Sequence, residues 1–217
     1  MSEHGVMPEG SLPIDHLIWA GANLEQEVER FERWTGVRAK PGGQHPGEGT
    51  RNALLGLGEA MYLELIAPDP MQPAPPHPRW LGLDTLTEPR LVTWAAGATD
   101  LEQRAAAARA AGVPLGEVRT SRRALDGGQV LSWRLTYPDV REGEVLVPFL
   151  IDWGDSQHPS RSAPQGIRLL DLHGEHPEPA TAIERLQRLG LGLRVVVGPR
   201  PALIATIQTP RGRVELR

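Results

Sequence analysis

The sequence predicts an α+β fold built from tandem β-α-β-β-β units. The main observation is a repeat. Ala20-Gly21-Ala22 followed by Leu24-Glu25-Gln26 returns as Ala96-Gly97-Ala98 followed by Leu101-Glu102-Gln103, and one inserted residue lengthens the offset from 76 to 77. The second observation is order. Each copy of this text sits between a short apolar run and a stretch with helical spacing, and three strand-like runs follow it. Self-similarity of this kind constrains a fold before any single residue does.

Residues 1–12 are polar and carry Gly and Pro, which reads as a loose tail. The first unit spans 13–67. Ile14 to Trp19 is a strand. Asn23 is a helix N-cap with Gln26 in the capping-box position. Leu24, Val28, Phe31 and Trp34 or Thr35 keep helical spacing, and Gly36 stops the helix. Val37 to Pro41 is a short strand, Gly42 to Gly49 a glycine-rich turn, and Thr50 to Leu57 and Met61 to Ile66 are strands. Residues 68–90 form a linker, and the prolines at 68, 70, 73, 75, 76 and 78 exclude helix and central strand from its first part.

The second unit spans 91–165. Leu91 to Ala96 is a strand. Thr99 caps a helix over 100–111, Glu102 completes a capping box, and Gly112 ends the helix. Strands follow at Val118 to Leu125, Val130 to Tyr137 and Leu146 to Asp152, with Asp126-Gly127-Gly128 as a hairpin turn. A third, more compact unit spans 166–217. Its strands are Ile167 to His173, Leu193 to Val197, Ala202 to Gln208 and Arg213 to Leu216, and Pro179 opens its helix. Residues His173 to His176 are expected to turn from strand to helix.

Composition narrows the function. The 217 residues include no Cys, which excludes a disulfide scaffold, thiolate metal ligands and a Cys nucleophile. The net charge of −4 argues against a nucleic-acid partner. No run approaches the ~18 apolar residues that span a membrane. The opening MSEHGVMPEGSLP has no basic start and no apolar core, so no signal peptide and a cytoplasmic location are expected. Lys40 is the only lysine, a bias of GC-rich bacterial genomes more than a binding device. No GxGxxG, P-loop, HExxH or GxSxG motif is present.

The text resembles a known family. Ile14-Asp15-His16, the stretch Gly42 to Asn52 (GGQHPGEGTRN), Tyr62-Leu63-Glu64-Leu65-Ile66, Phe149-Leu150-Ile151-Asp152-Trp153-Gly154 and His158-Pro159 are similar to the glyoxalase-like domain proteins of the vicinal-oxygen-chelate superfamily. The resemblance implies curved mixed β-sheets, paired into a cup, with the helices on the outer face. It also implies a divalent metal (Zn, Ni, Fe or Mn) in the cup, held by one residue from each first strand and one from each last strand.

His16 and Glu64 match the first-unit ligand positions. Period-two alternation puts His16 on one face with Ile14 and Ile18, and Tyr62 and Glu64 on the face opposite Leu63 and Leu65. Imidazole and carboxylate suit such a metal, while a buried His bonded to a carbonyl and a buried, paired Glu is the structural alternative. The second unit offers Val92-Thr93-Trp94 and an Asp152 that a one-residue slip would turn away. A cup of units one and three would instead bring His173 and Glu215. His45 is a candidate acid or base, with Glu64 as its catalytic partner, and otherwise caps its turn. Thr50, Asn52, Tyr62, Trp153 and His158 are candidate substrate-binding residues, Trp153 as an aromatic wall. His77 is expected to be solvated.

The expected activity is metal-dependent lyase, isomerase or dioxygenase chemistry on a small oxygen-rich molecule. The alternative is metal-free binding or sequestration of a small molecule. An unpaired third unit would leave an edge and a face for a second copy to cover, making a homodimer.

Overall fold

The computed structural model describes residues 11–113, 115–124, 130–137 and 145–217. The Asp126-Gly127-Gly128 turn, His4 and most of the tail lie outside these residues. Among the described residues no helix is long and apolar enough to cross a membrane.

The first unit contains β1 (Ile14–Ala20), α1 (Leu24–Thr35), β2 (Lys40–His45), β3 (Thr50–Gly56) and β4 (Tyr62–Pro68). The second contains β5 (Arg90–Gly97), α2 (Leu101–Ala110), β6 (Glu117–Ala124), β7 (Val130–Tyr137) and β8 (Phe149–Asp152). Together they make one eight-stranded sheet in the order β2-β3-β4-β1-β5-β8-β7-β6. Each half runs second-third-fourth-first from its outer edge. The halves join where β1 meets β5 antiparallel, while β1 and β4, and β5 and β8, are parallel.

Local chemistry accounts for the ends of α1. The Asn23 side chain accepts from the Gln26 N–H at 3.0 Å, and Gly36 closes the helix in the left-handed region at φ 79°. Leu24, Val28, Phe31 and Thr35 are buried, whereas Trp34 is half-exposed and meets Trp19 and Phe31 edge-on. In α2 the expected Thr99 cap is not formed. Asp100 occupies the N-cap without capping, because its carboxylate takes Arg104 at 2.6 Å, and Glu102 pairs with Arg134 instead of closing a box.

Three further expectations need correction. The glycine-rich stretch is not all turn: Gly42 and Gly43 belong to β2, and only residues 46–49 turn. The last strand of the second unit starts at Phe149. Before it, the Leu146 carbonyl accepts from the buried Trp94 Nε1 at 2.9 Å. His173 to His176 continue a strand.

That strand is β9 (Arg168–His176), followed by α3 (Pro179–Arg188), β10 (Arg194–Val197), β11 (Ala202–Thr209) and β12 (Gly212–Leu216). The element order is that of the first two units, but the pairing is not. This separate sheet runs β10-β9-β11-β12, with β10 parallel to β9. Its apolar residues Leu169, Leu172, Leu203, Ala205 and Ile207 share one core with all three helices and one face of the large sheet. That apolar face is therefore buried within the chain itself.

The other face of the large sheet carries a second apolar cluster including Ile18, Ile66, Leu135, Phe149 and Ile151. The Pro-rich segment is tied to the rim of this face. The buried Asp69 carboxylate accepts from Gln44 at 2.7 Å, Gln72 at 2.9 Å and the Met71 N–H at 3.0 Å. Burial pushes its pKa up, but these bonds and the Arg51 charge outweigh that and hold it below the ordinary value.

Candidate active site

The inner face of the large sheet encloses a cavity of about 440 Å³, within the usual range for small-molecule sites. Its edge strands approach each other. Arg123 of β6 reaches Asn52 of β3 (Nη1 to Oδ1, 3.2 Å), and Tyr137 of β7 donates to Glu48 beyond β2 at 2.8 Å. Trp80 stacks on Tyr137 with centroids 4.8 Å apart, and Trp133 lies 5.5 Å from Trp153. The walls are thus aromatic and the floor is polar.

The floor begins at β1. The bulge between Ile14 and His16 shifts the alternation, so Ile14 packs into the core, contrary to expectation, while Asp15 and His16 act together. Asp15 Oδ1 lies 2.7 Å from His16 Nδ1, and its Oδ2 accepts from Trp153 Nε1 at 3.0 Å and meets His158 Nε2 at 3.2 Å. Burial raises the Asp15 pKa, but the hydrogen bonds and charges of His158 and His16 prevail and lower it to about 2. Asp15 is therefore a carboxylate at neutral pH, and the proton on His16 Nδ1 faces it. The His16 ring stacks on Tyr62 at 4.5 Å. Burial holds the Tyr62 phenol neutral, well above its ordinary pKa.

His16 Nε2 faces Glu64 Oε2 at 3.6 Å. Glu64 Oε1 accepts from Asn52 Nδ2 at 2.7 Å, and the same amide nitrogen lies 3.3 Å from His45 Nε2. Arg123 bonds the other end of that amide, which fixes its orientation. His45 Nδ1 is 2.9 Å from Thr50 Oγ1. Burial pushes the His45 pKa below 6.5 more than the Glu64 charge raises it, so its imidazole is neutral at pH 7.

The structure therefore brings His16, His45, Thr50, Asn52, Tyr62 and Glu64 together, with Trp153 at the wall. His158 does not line the cavity. It sits against Tyr62 and Trp153 and braces Asp15. Asp152 accepts the Gly154 N–H at 2.9 Å, and Phe149 and Ile151 take the inward positions of β8. His173 pairs with Asp171 and Glu215 with Arg217 in the other sheet, so units one and two alone form the cup. His77 is exposed. Sequence reasoning missed Asp15, Glu48, Tyr137 and Arg123. The signal for Arg123 was an arginine within a strand, which reads equally well as a solvated edge.

The donor set does not fit the metal that the family resemblance implies. His16 Nε2 and Glu64 Oε2 supply half a site. The facing half presents Ala95, Phe149 and Ile151, and the Asn52 amide, a donor, stands where a cation shared by Glu64 and His45 would stand. Among the described residues no group of three or more His, Asp or Glu could hold a metal ion.

Comparison with known proteins supplies the lineage. The family described as "Glyoxalase-like domain" matches residues 14–190. None of the curated proteins compared matches the chain. Among solved structures, a hypothetical protein from Staphylococcus aureus is 14% identical with a TM-score of 0.66, over 88% of this chain and 90% of that one. Methylmalonyl-CoA epimerase from Mycobacterium tuberculosis is 20% identical with a TM-score of 0.42, over 70% of this chain and 95% of that one. The likeness to the Staphylococcus aureus protein is one of fold. The family match covers most of the chain, and the chain accordingly belongs to the glyoxalase-like domain family.

Proposed function

We propose that this chain is a proton-transfer enzyme, an isomerase or lyase, acting on a small oxygen-rich molecule in the cup. The observation that carries this reading is the Glu64–Asn52–His45 cluster at the polar end of an aromatic-walled cavity. Glu64 Oε1 is held by Asn52, which leaves Oε2 to take a proton from a carbon beside a carbonyl. His45, neutral at pH 7, stands beside Glu64 (Nε2 to Oε1, 4.0 Å) and is suited to take up and return a proton on the same side of the bound molecule. Asp15 and Tyr62 fix the His16 ring from its edge and its face. No step here runs through a metal, because the donor set fits only half a site.

The test is hydrogen–deuterium exchange in D2O, followed by NMR, at carbons beside the carbonyls of pyruvate, 2-oxobutyrate and dihydroxyacetone. Exchange that survives dialysis against chelator and falls about 10²–10⁴-fold in Glu64→Gln and His45→Gln is expected. Near-stoichiometric metal in the purified protein, absent from the His16→Ala/Glu64→Ala variant, would overturn the metal-free mechanism. The aromatic walls favour a second reading, sequestration of a planar molecule. Tight binding with no exchange or turnover would select it.

A further inference from the structure

We propose that the cup is selective for molecules bearing a carboxylate, and that Arg123 is the group that receives it. Arg123 is only 8% exposed and lines the cavity. A buried guanidinium normally has a carboxylate beside it, since an unpaired buried charge is costly. Here Nη1 has a neutral partner, the Asn52 carbonyl, and Nε has no hydrogen-bond partner. Among the described residues no carboxylate forms an ion pair with it, and Glu64 meets it only through the Asn52 amide.

The place is built for this side chain. A Cβ on Gly42 would lie 3.0 Å from Arg123 Nη1, and one on Gly43 would lie 3.3 Å from its Cδ. Two adjacent glycines of β2 thus clear the space into which β6 sends the guanidinium. Arginine offers a planar fork that matches a carboxylate through two parallel bonds, which a lysine does not. The occupant is a monoanion and not a phosphate dianion, because Glu64 and Asp15 already place negative charge on the floor. A carboxylate on Arg123 would lie across Asn52 from the Glu64 and His45 pair, setting the remainder of the molecule over both.

This selectivity rests on the cup being the ligand site and needs no turnover. The test uses acetate, pyruvate, 2-oxobutyrate and benzoate, each beside its neutral amide. Binding is read by fluorescence of the cup tryptophans and by calorimetry. At least one acid is expected to bind the wild type more tightly than its amide by about 10–100-fold. The preference for acid over amide should vanish in Arg123→Gln and shrink in Arg123→Lys. The unliganded Arg123→Gln variant should be no less stable than the wild type, since it loses a buried charge that lacks a counter-charge. Equal affinity for every acid and its amide would overturn the assignment, as would displacement of the acids by inorganic phosphate at lower concentration. If Arg123→Gln does not fold, the acid-to-amide ratio in the wild type and in Arg123→Lys decides. Carboxylate binding without hydrogen–deuterium exchange would sink the proposed chemistry alone.

Discussion

Asp15→Asn should separate the support of the site from its chemistry. One carboxylate holds three ring nitrogens, those of His16 at 2.7 Å, Trp153 at 3.0 Å and His158 at 3.2 Å. Asparagine keeps the shape but loses the charge and points an amine at groups that are themselves donors. The Asp15 pKa drops from 3.8 to about 2 on folding. At 1.36 kcal/mol per unit, that difference contributes about 2 kcal/mol of stability. A carboxylate whose folded pKa is depressed adds stability that is whole above the unfolded pKa and is lost as pH falls through the folded one. The contribution is therefore intact at pH 7, about half present at pH 3, and gone below pH 2. Urea unfolding of wild type and variant, repeated from pH 7 down to pH 3, measures it. The variant should be about 2 kcal/mol less stable at pH 7, or roughly 4–8 °C lower in Tm for a chain of this size. The gap should close as pH falls. A difference under about 0.5 kcal/mol at pH 7, or one that stays constant down to pH 3, would refute the assignment of Asp15 as an ionised, load-sharing acceptor.

Two other perturbations test the frame around the cup. A Cβ at Gly21 would lie 2.4 Å from Glu27 Cγ, and Glu27 is the buried acceptor of Trp19 Nε1 at 2.8 Å. Gly21→Ala should cost about 1–3 kcal/mol in urea unfolding through overpacking, and a neutral result would show that the Glu27 side chain swings out freely. Tyr137→Phe removes the 2.8 Å bond to Glu48 that spans the cup mouth. A loss of about 1 kcal/mol is expected, with faster acrylamide quenching of the cup tryptophans. Unchanged quenching would mean that this bond does not hold the mouth closed.

The sequence by itself determined the strands, the helices and most faces, because alternation and helical spacing are local properties of the chain. His16 of β1, Asn52 of β3, and Tyr62 and Glu64 of β4 meet in the cup because each faces inward from its strand. The repeat likewise announced two alike halves, and their strand orders match. Only the tertiary structure decided what depends on distant partners. The third unit has the same element order as the others yet pairs β10 beside β9, since the order of elements does not dictate which strand edge a returning chain takes. The β1 bulge turns Ile14 into the core and leaves Asp15 beside His16, a one-residue shift that no period-two pattern contains. The Arg123–Asn52 and Tyr137–Glu48 contacts join residues 71 and 89 positions apart. They exist because the sheet curls until its edge strands face each other, and curvature belongs to the assembled sheet and not to any of its strands.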